Sequence, residues 1–233
     1  MGMLGIIGGM GPAATDLLYR RIIARTDACC DQEHLDMIIL NHASMPDRTA
    51  AIKSGDTSAV LEALKRDVRF LADNGAAAIA IPCNTSHYFY DDLQNITDVP
   101  IINMIRETVL HMKRKGHKRV CVLATDGTVM TGIYERECAA AGIEYIAPPE
   151  REQAVVMRII YDQIKKGFPG SMEDFQQVHH FIKSAGCDGA ALACTELSVF
   201  RAEAGLSDYY TDALEILCEQ AILKCGKKLR EEV

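Results

Sequence analysis

Two cysteines occupy matched positions in the sequence and could carry acid–base or nucleophilic chemistry. Cys83 and Cys194 each follow a small apolar run and are followed at once by polar residues. Each also lies eight residues after a glycine, Gly75 or Gly186. The pattern predicts a buried strand that delivers a thiol to the start of a helix, where the helix dipole lowers a thiol pKa from about 8.5. Two such units with the same spacing indicate a duplicated fold that brings two thiols to one place.

The remaining cysteines and the histidines show no pattern of a metal site. The chain has nine cysteines, none spaced Cys-x-x-Cys, and no stretch typical of a signal peptide, which favours free thiols in the cytoplasm. Seven of them are interpreted as small buried hydrophobic residues: Cys29, Cys30, Cys121, Cys138, Cys187, Cys218 and Cys225. The histidines share no ligand spacing, so we expect no metal. His87, four residues after Cys83, is expected to face the core or the seam between the domains, and not the reactive side of the thiol.

Composition restricts the classes of partner. The chain has 233 residues, 48% of them hydrophobic and 24% charged, and a net charge of −7. This content supports a well-filled core in one large domain or two small ones. The sequence has no basic tract that would bind nucleic acid, and no apolar run reaches the roughly 18 residues of a membrane helix. Neither nucleic acid nor a membrane is therefore expected as a partner.

Short apolar strands alternate with helices along the whole chain, as is typical of βαβ units in parallel sheets covered on both faces. Because the order repeats, we predict an α/β fold with two similar flavodoxin-like domains, 1–100 with about 208–233, and 101–207. Ligands of such sheets bind beyond the carboxyl ends of the strands. The predicted loops there, which would line an interdomain cleft, are 8–15, 44–49, 83–85, 125–128 and 194–196.

The same patterns predict local elements around these loops. They are a strand at 99–103, a polar loop at 125–131 and one continuous helix at 153–166. The helix after the first matched cysteine is expected to be capped by the side chains of Asn84, Thr85 and Ser86.

The glycine-rich turn after the first strand has two interpretations. Gly9-Met10-Gly11-Pro12-Ala13-Ala14 fits the dinucleotide pattern G-x-G-x-x-G/A, which makes a nicotinamide-dependent oxidoreductase an alternative. The next strand, however, ends in Leu40-Asn41-His42 and offers no acid to hold a ribose. The glycines are better explained as an anion-binding turn or a flexible edge of the cleft, with Met10 as a covering residue.

Two basic residues are candidates for holding a carboxylate. Arg48 follows a predicted strand end in Pro46-Asp47-Arg48, where its planar fork of donors could bind a carboxylate. Lys165 has a weaker case from position alone, because helix C-termini favour lysine in any event.

Five motifs together resemble the cofactor-independent aspartate/glutamate racemase superfamily, and within it the aspartate racemases. They are Gly8-Gly9-Met10-Gly11-Pro12, Pro46-Asp47-Arg48-Thr49, Pro82-Cys83-Asn84-Thr85, Ile164-Lys165 and Ala193-Cys194-Thr195-Glu196-Leu197. The resemblance extends from residue 3 to about residue 221. It implies two α/β domains, no pyridoxal phosphate or other cofactor, a homodimer, and an acidic amino acid as the small-molecule partner. One departure is Ala124, where relatives often carry glycine.

The resemblance also implies roles for single residues. Cys83 and Cys194 match the two catalytic thiols. The residues that match those holding the substrate's α-carboxylate and ammonium are Asn84, Thr85, Thr125, Thr128 and Thr195. Arg48 and Lys165 match the pair that holds the side-chain carboxylate in the aspartate-specific branch.

The expected reaction is the interconversion of L- and D-aspartate, with glutamate as a further candidate. One thiolate would remove the α-proton while a thiol on the opposite face returns one. Asp47 and Glu196 are expected to support neighbouring groups and not to carry protons. The alternatives are a protein that binds acidic amino acids without turnover, and an isomerase of the same superfamily acting on another small dicarboxylate or a hydantoin.

Overall fold

The computed structural model of the protein describes residues 2–231. The chain forms two compact units, one made of the residues up to Met104 and from Leu214 onward, the other of Ile105–Ala213. Each unit contains a parallel sheet with helices packed against it. The predicted α/β fold with parallel sheets flanked by helices is therefore confirmed.

The first unit has a three-stranded sheet with the order β2-β1-β3. Its strands are β1 (Met3–Gly8), β2 (Met37–Asn41) and β3 (Ala76–Ala80). The helices that follow along the chain are α1 (Pro12–Arg25), α2 (Arg48–Ser54), α3 (Ser58–Asp73) and α4 (Tyr90–Gln94), with 3₁₀ turns at Asp31–Glu33 and Thr85–Phe89. One face of α3 packs on the sheet because Val60, Leu64, Val68 and Leu71 recur at helical spacing and are buried.

The second unit has a four-stranded sheet with the order β5-β4-β6-β7. Its strands are β4 (Arg119–Leu123), β5 (Glu144–Ile146), β6 (Gly189–Leu192) and β7 (Tyr210–Asp212). The helices are α5 (Met104–Arg114), α6 (Asp126–Thr131), α7 (Ile133–Ala141), α8 (Glu150–Met157), α9 (Met172–Ser184) and α10 (Thr195–Ala204). Both sheets place their first strand in sequence beside the second and the third, the arrangement of flavodoxin-like sheets.

Helix α11 (Ala213–Lys224) brings the last described segment back to the first unit. Arg25 of α1 pairs with Glu215 at 3.2 Å and with Glu219 at 3.0 Å, and Arg21 pairs with Glu215 at 3.3 Å. No helix within residues 2–231 is both long enough and apolar enough to cross a bilayer.

The turn between β1 and α1 explains why glycines occur there. Gly9 has φ +86°, and a Cβ on it would lie 2.5 Å from the His42 carbonyl carbon and 2.6 Å from the Ala43 nitrogen. A Cβ on Gly8 would lie 2.4 Å from the side chain of Thr15, whose hydroxyl accepts the Gly9 N–H at 2.9 Å. The glycines allow these segments to approach each other more closely than any side chain would permit.

Two expectations about the first unit are wrong. The predicted strand at 99–103 is reduced to a single parallel bridge between Ile79 and Ile101, since Pro100 has no N–H to donate to a ladder. Cys29 and Cys30 are exposed and not buried, because they lie in the surface segment that leads into the turn Asp31–Glu33. The other five cysteines of that group are buried.

Two expectations about the second unit are also wrong. The predicted loop at 125–131 is mostly helix α6, which begins after a capping threonine and ends at Gly132 in the left-handed conformation. The predicted helix at 153–166 starts earlier and is not continuous. It consists of α8, a π-helical segment Arg158–Gln163 and a 3₁₀ turn Ile164–Lys166.

Candidate active site

Cys83 lies just beyond the carboxyl end of β3 in the first unit. The strand ends at Ala80, three residues before the predicted position, and the Cys83 N–H donates to the Ile81 carbonyl at 2.7 Å. The thiol is buried in the same apolar cluster as Phe89 and Met10. This tight turn takes the chain out of the sheet, so the cysteine belongs to a loop and not to the strand.

The capping predicted after Cys83 is not made. The segment that follows is the short 3₁₀ turn Thr85–Phe89, and the side chain of Asn84 makes no cap hydrogen bond. Asn84 already has helical backbone angles, whereas a capping residue needs extended ones. The Ser86 hydroxyl donates to the Met10 sulphur at 3.4 Å.

The imidazole of His87 holds the backbone of Cys83. Its Nδ1–H donates to the Cys83 carbonyl at 2.9 Å, and its Nε2 accepts the Met104 N–H at 3.1 Å. The Ile102 carbonyl oxygen lies 3.2 Å from the same Nε2. Burial lowers the pKa of the His87 imidazole, which favours this neutral tautomer. The residue therefore positions the loop that carries the first thiol.

Arg48 and Asp47 lie at the start of α2, beyond the carboxyl end of β2. Asp47 is the N-cap, and its carboxylate accepts the Ala50 N–H at 2.7 Å. Arg48 is buried, and its Nη1 donates to the carbonyls of Pro46 at 2.9 Å and Met45 at 3.3 Å. A guanidinium presents five N–H donors in a planar fork, a geometry that matches a carboxylate.

In the second unit, Thr125 and Thr128 follow β4. Thr125 is the N-cap of α6. Its hydroxyl accepts the Thr128 N–H at 3.3 Å and lies 3.2 Å from the Thr128 hydroxyl. Both side chains are buried. The two threonines therefore present a pair of hydroxyls at the carboxyl end of the central strand.

Cys194 is the N-cap residue of α10, two residues after β6 ends. Its Sγ donates to Oε2 of Glu196 at 2.9 Å, and Oε1 of Glu196 lies 3.2 Å from Nζ of Lys165. Thr195, between them in sequence, is buried as the first residue of α10. The side chains of Cys194, Glu196 and Lys165 therefore form a thiol–carboxylate–ammonium series, although Lys165 lies 29 positions before Cys194 in the sequence.

The electrostatics of Cys194 contradict the expectation of a lowered thiol pKa. Burial raises its pKa well above the ordinary value, and the negative charge of Glu196 raises it further, while Lys165 lowers it. The desolvation cost and the adjacent carboxylate together exceed the effect of the helix dipole. In the resting protein Cys194 is consequently a thiol, with its proton directed at a carboxylate.

The irregular helix between α8 and α9 delivers Lys165. Arg158 makes a two-bond ion pair with Asp174, at 3.0 and 2.5 Å. Gln163 donates to the same carboxylate at 2.8 Å and accepts the Ser171 N–H at 2.8 Å. These bonds anchor both ends of the π-helical segment, so that the following turn holds Lys165 beside Glu196.

Three buried polar residues near Cys194 were missed from the sequence. Ser198 donates to Asp212 at 2.6 Å, and Tyr134 is buried with its hydroxyl bonded to Thr108. Burial raises the pKa of Tyr134, and the negative charge of Asp212 acts in the same direction. Asp212 ends a strand, which could have marked it as a candidate, whereas Tyr134 carries no such signal.

Each unit thus gathers its own subset of the predicted site residues at one edge of its sheet. The first unit holds Met10, Asp47, Arg48, Cys83, Asn84 and Thr85, and the second holds Thr125, Thr128, Lys165, Cys194, Thr195 and Glu196. Within residues 2–231, no group of three or more His, Cys, Asp or Glu side chains is arranged to hold a metal ion.

The chain resembles several known proteins. A family model for Asp/Glu/hydantoin racemases matches residues 7–221. The broad specificity amino-acid racemase RacX of Bacillus subtilis is 28% identical over 84% of this chain and 86% of its own length. Among solved structures, the Picrophilus torridus aspartate racemase has a TM-score of 0.81 and 29% identity, with 99% of this chain and 96% of that chain covered.

A putative Asp/Glu racemase from Yersinia pestis has a TM-score of 0.80 at 25% identity, with 95% of this chain and 97% of that chain covered. The family match includes both cysteine motifs and nearly all of both sheets. The chain therefore belongs to the Asp/Glu/hydantoin racemase family and is an isomerase of amino acids.

Proposed function

We propose that the protein interconverts L- and D-aspartate by moving the α-proton between two thiols, Cys83 and Cys194. The observation that carries this proposal is the equivalent position of the two cysteines. Each lies directly beyond the carboxyl end of the third strand of its unit, β3 or β6, at the edge where parallel sheets bind ligands. Such a pair suits a reaction that removes a proton from one face and returns a proton to the other.

The chemical difficulty is the weak acidity of an amino-acid α-carbon. The mismatch with a thiol is about 10 pK units or more, which corresponds to roughly 14 kcal/mol. No single side chain supplies that amount, so donors around the α-carboxylate, a retained ammonium and exclusion of water must share it. The residues proposed to bind these two groups of the substrate are Asn84, Thr85, Thr125, Thr128 and Thr195, all of them buried. Met10, also buried, is proposed to contact the substrate through its apolar side chain.

The preference for aspartate is supported by the basic residues. Arg48 and Lys165 are proposed to hold the side-chain carboxylate, Arg48 through the two-bond geometry that a guanidinium allows. Lys165 already lies 3.2 Å from a carboxylate oxygen of Glu196, so its surroundings suit a carboxylate. The Picrophilus torridus relative is described as an aspartate racemase and RacX as having broad specificity, so substrate preference differs within the family.

The deciding experiment is incubation of the purified protein with L-aspartate in deuterated water. We expect loss of the α-proton signal together with decay of optical rotation, faster for aspartate than for glutamate or alanine. Cys83→Ala and Cys194→Ala should each lower the rate of racemisation by about 10²-fold or more. Cys138→Ala, which changes a buried cysteine remote in sequence from both motifs, serves as the matched control.

Two outcomes would contradict the proposal. A single-cysteine variant that racemises aspartate at nearly the original rate would remove that thiol from the mechanism. Tight binding of aspartate without any exchange of the α-proton would instead identify an amino-acid-binding protein.

A further inference from the structure

Glu196 stands between a thiol and a cation in the second unit. The thiol of Cys194 donates to its Oε2 at 2.9 Å, and Nζ of Lys165 lies 3.2 Å from its Oε1. Glu196 is only 4% exposed. A buried carboxylate in this position can act on the thiol in ways that a solvated one cannot, because little water screens it.

A buried thiol needs a nearby acceptor before it can become a base. Burial and the Glu196 charge raise the pKa of Cys194, so its ionisation into bulk water is unfavourable. Transfer of the same proton to the bonded carboxylate separates no additional charge, since one anion replaces another. The contact at 2.9 Å is within reach for such a transfer.

The two oxygens of the Glu196 carboxylate have different partners, a thiol for Oε2 and an ammonium for Oε1. Buried carboxylate oxygens are normally hydrogen-bonded. Among residues 2–231, however, Oε1 of Glu196 is buried and has no hydrogen bond, although the Lys165 ammonium is close enough to attract it. Glu196 also lies in the first turn of the ten-residue helix α10, where the helix dipole stabilises an anion. The hydrogen bond from the Cys194 thiol therefore places this carboxylate where it can exchange a proton with the sulphur.

We propose that Glu196 accepts the thiol proton of Cys194, and that Lys165 acts on this thiol through the Glu196 carboxylate. The inference rests on the proposed function of Cys194 as an acid–base thiol. It replaces the sequence-based interpretation of Glu196 as a support that carries no proton. Lys165 becomes a positioning residue for Glu196 in addition to its proposed contact with the substrate.

The proton transfers balance in both directions. When Cys194 acts as the base, its S–H bond breaks, an O–H bond forms on Glu196 and the electron pair stays on sulphur. The thiolate then takes the α-proton, and the thiol of Cys83 supplies a proton to the carbanion. Glu196 loses its proton to solvent as Cys83 regains one. When Cys194 acts as the acid, the Cys83 thiol first loses its proton to solvent, and the resulting thiolate takes the α-proton. The Cys194 thiol gives its proton to the carbanion and then regains one from solvent, which leaves both cysteines as thiols again.

Opposite charges on the two partners provide the test. For each protein, the thiolate absorbance is measured against pH, and the absorbance of the same protein with the additional change Cys194→Ala is subtracted. The difference is the titration curve of Cys194. Glu196→Gln removes a negative charge and should move the titration midpoint down by about one pH unit or more, whereas Lys165→Met should move it up. Exposed neighbours provide matched controls, since Glu203→Gln on α10 and Lys166→Met beside Lys165 should leave the midpoint unchanged.

Activity distinguishes proton acceptance from structural support. Glu196→Gln keeps the shape of the side chain, and we expect its kcat for aspartate to fall about 10²-fold or more with little change in KM. Circular dichroism establishes that each variant is folded. Unchanged kcat in Glu196→Gln, or a midpoint that stays or rises, would overturn the inference. Because the titration requires no turnover, that failure is distinct from failure of the racemase proposal, which is decided by proton exchange in the original protein and by the two single-cysteine variants.

Discussion

The two matched cysteines have different immediate neighbours. The carbonyl of Cys83 is held by the imidazole of His87, so this thiol is positioned through its backbone. The sulphur of Cys194 is itself bonded to Glu196. The same residue type therefore receives its position from the main chain in one unit and its proton affinity from a side chain in the other.

The neutral state of His87 predicts a pH-dependent stability. Because burial lowers its pKa in the folded protein, the unfolded chain binds this proton more readily. The contribution is complete above the ordinary imidazole pKa of about 6.5 and is lost as the pH falls below it. His87→Asn cannot titrate but keeps an N–H donor near the Nδ1 position. When the pH falls from about 7.5 to 5.5, the unfolding free energy of the original protein should therefore decrease by up to about 1.4 kcal/mol more than that of this variant. Urea denaturation at the two pH values measures both decreases.

His180→Asn, a change at an exposed histidine, is the control and should show the same pH dependence as the original protein. Equal losses of unfolding free energy in the original protein and His87→Asn would show that His87 does not remain neutral because of its burial.

At the scale of elements, the strands position the two cysteines, but neither cysteine belongs to a strand. β3 and β6 end before Cys83 and Cys194, and short turns carry each thiol beyond the sheet edge. The turn after β1 serves packing, because Gly9 lies against the backbone that follows β2. A dinucleotide pattern and a close-packed turn thus share the same glycines.

Two glycines with similar φ angles should differ strongly in their tolerance of a side chain. Gly9 has φ +86° and would place a Cβ 2.5 Å from backbone, whereas Gly55 has φ +79° with open space around it. Gly55→Ala should cost roughly 1–2 kcal/mol of unfolding free energy from the left-handed conformation alone. Gly9→Ala should cost about 3 kcal/mol or more because backbone must also move. Urea denaturation of both variants measures the difference, and equal costs would rule out the close approach.

At the scale of the whole molecule, one chain supplies two sheets with related strand order and one matched cysteine each. Each unit has its own buried apolar cluster: one includes Ile79 and Val68, the other includes Ile159 and Leu192. Loss of one thiol by mutation should therefore leave the fold intact, which makes cysteine variants informative about chemistry.

The resemblance to aspartate racemases further predicts a homodimer. Large apolar side chains such as Phe70 and Phe168 are 49% and 61% exposed, so the chain has apolar surface available for association. Light scattering at several protein concentrations should give twice the mass of one chain. A mass of a single chain throughout the concentration range would contradict this prediction.

Much of the fold was predictable because it depends on local patterns. Alternating strand and helix signals identified the parallel sheets, and the spacing of Val156, Ile159 and Ile160 marked a face that is buried in the structure. Errors occurred where a single residue overrides the pattern. Pro100 prevents a full strand, and Thr125 starts a helix within an apparent loop.

By itself, the sequence determined the α/β class, the family and the two cysteines as the leading candidates, because each of these depends on residues close together along the chain. Only the tertiary structure showed that Cys194 is a thiol bonded to Glu196, and that Lys165 lies beside this carboxylate. The physical reason is that proton affinity depends on burial and on charges brought together from distant segments. A spacing pattern carries no information about either.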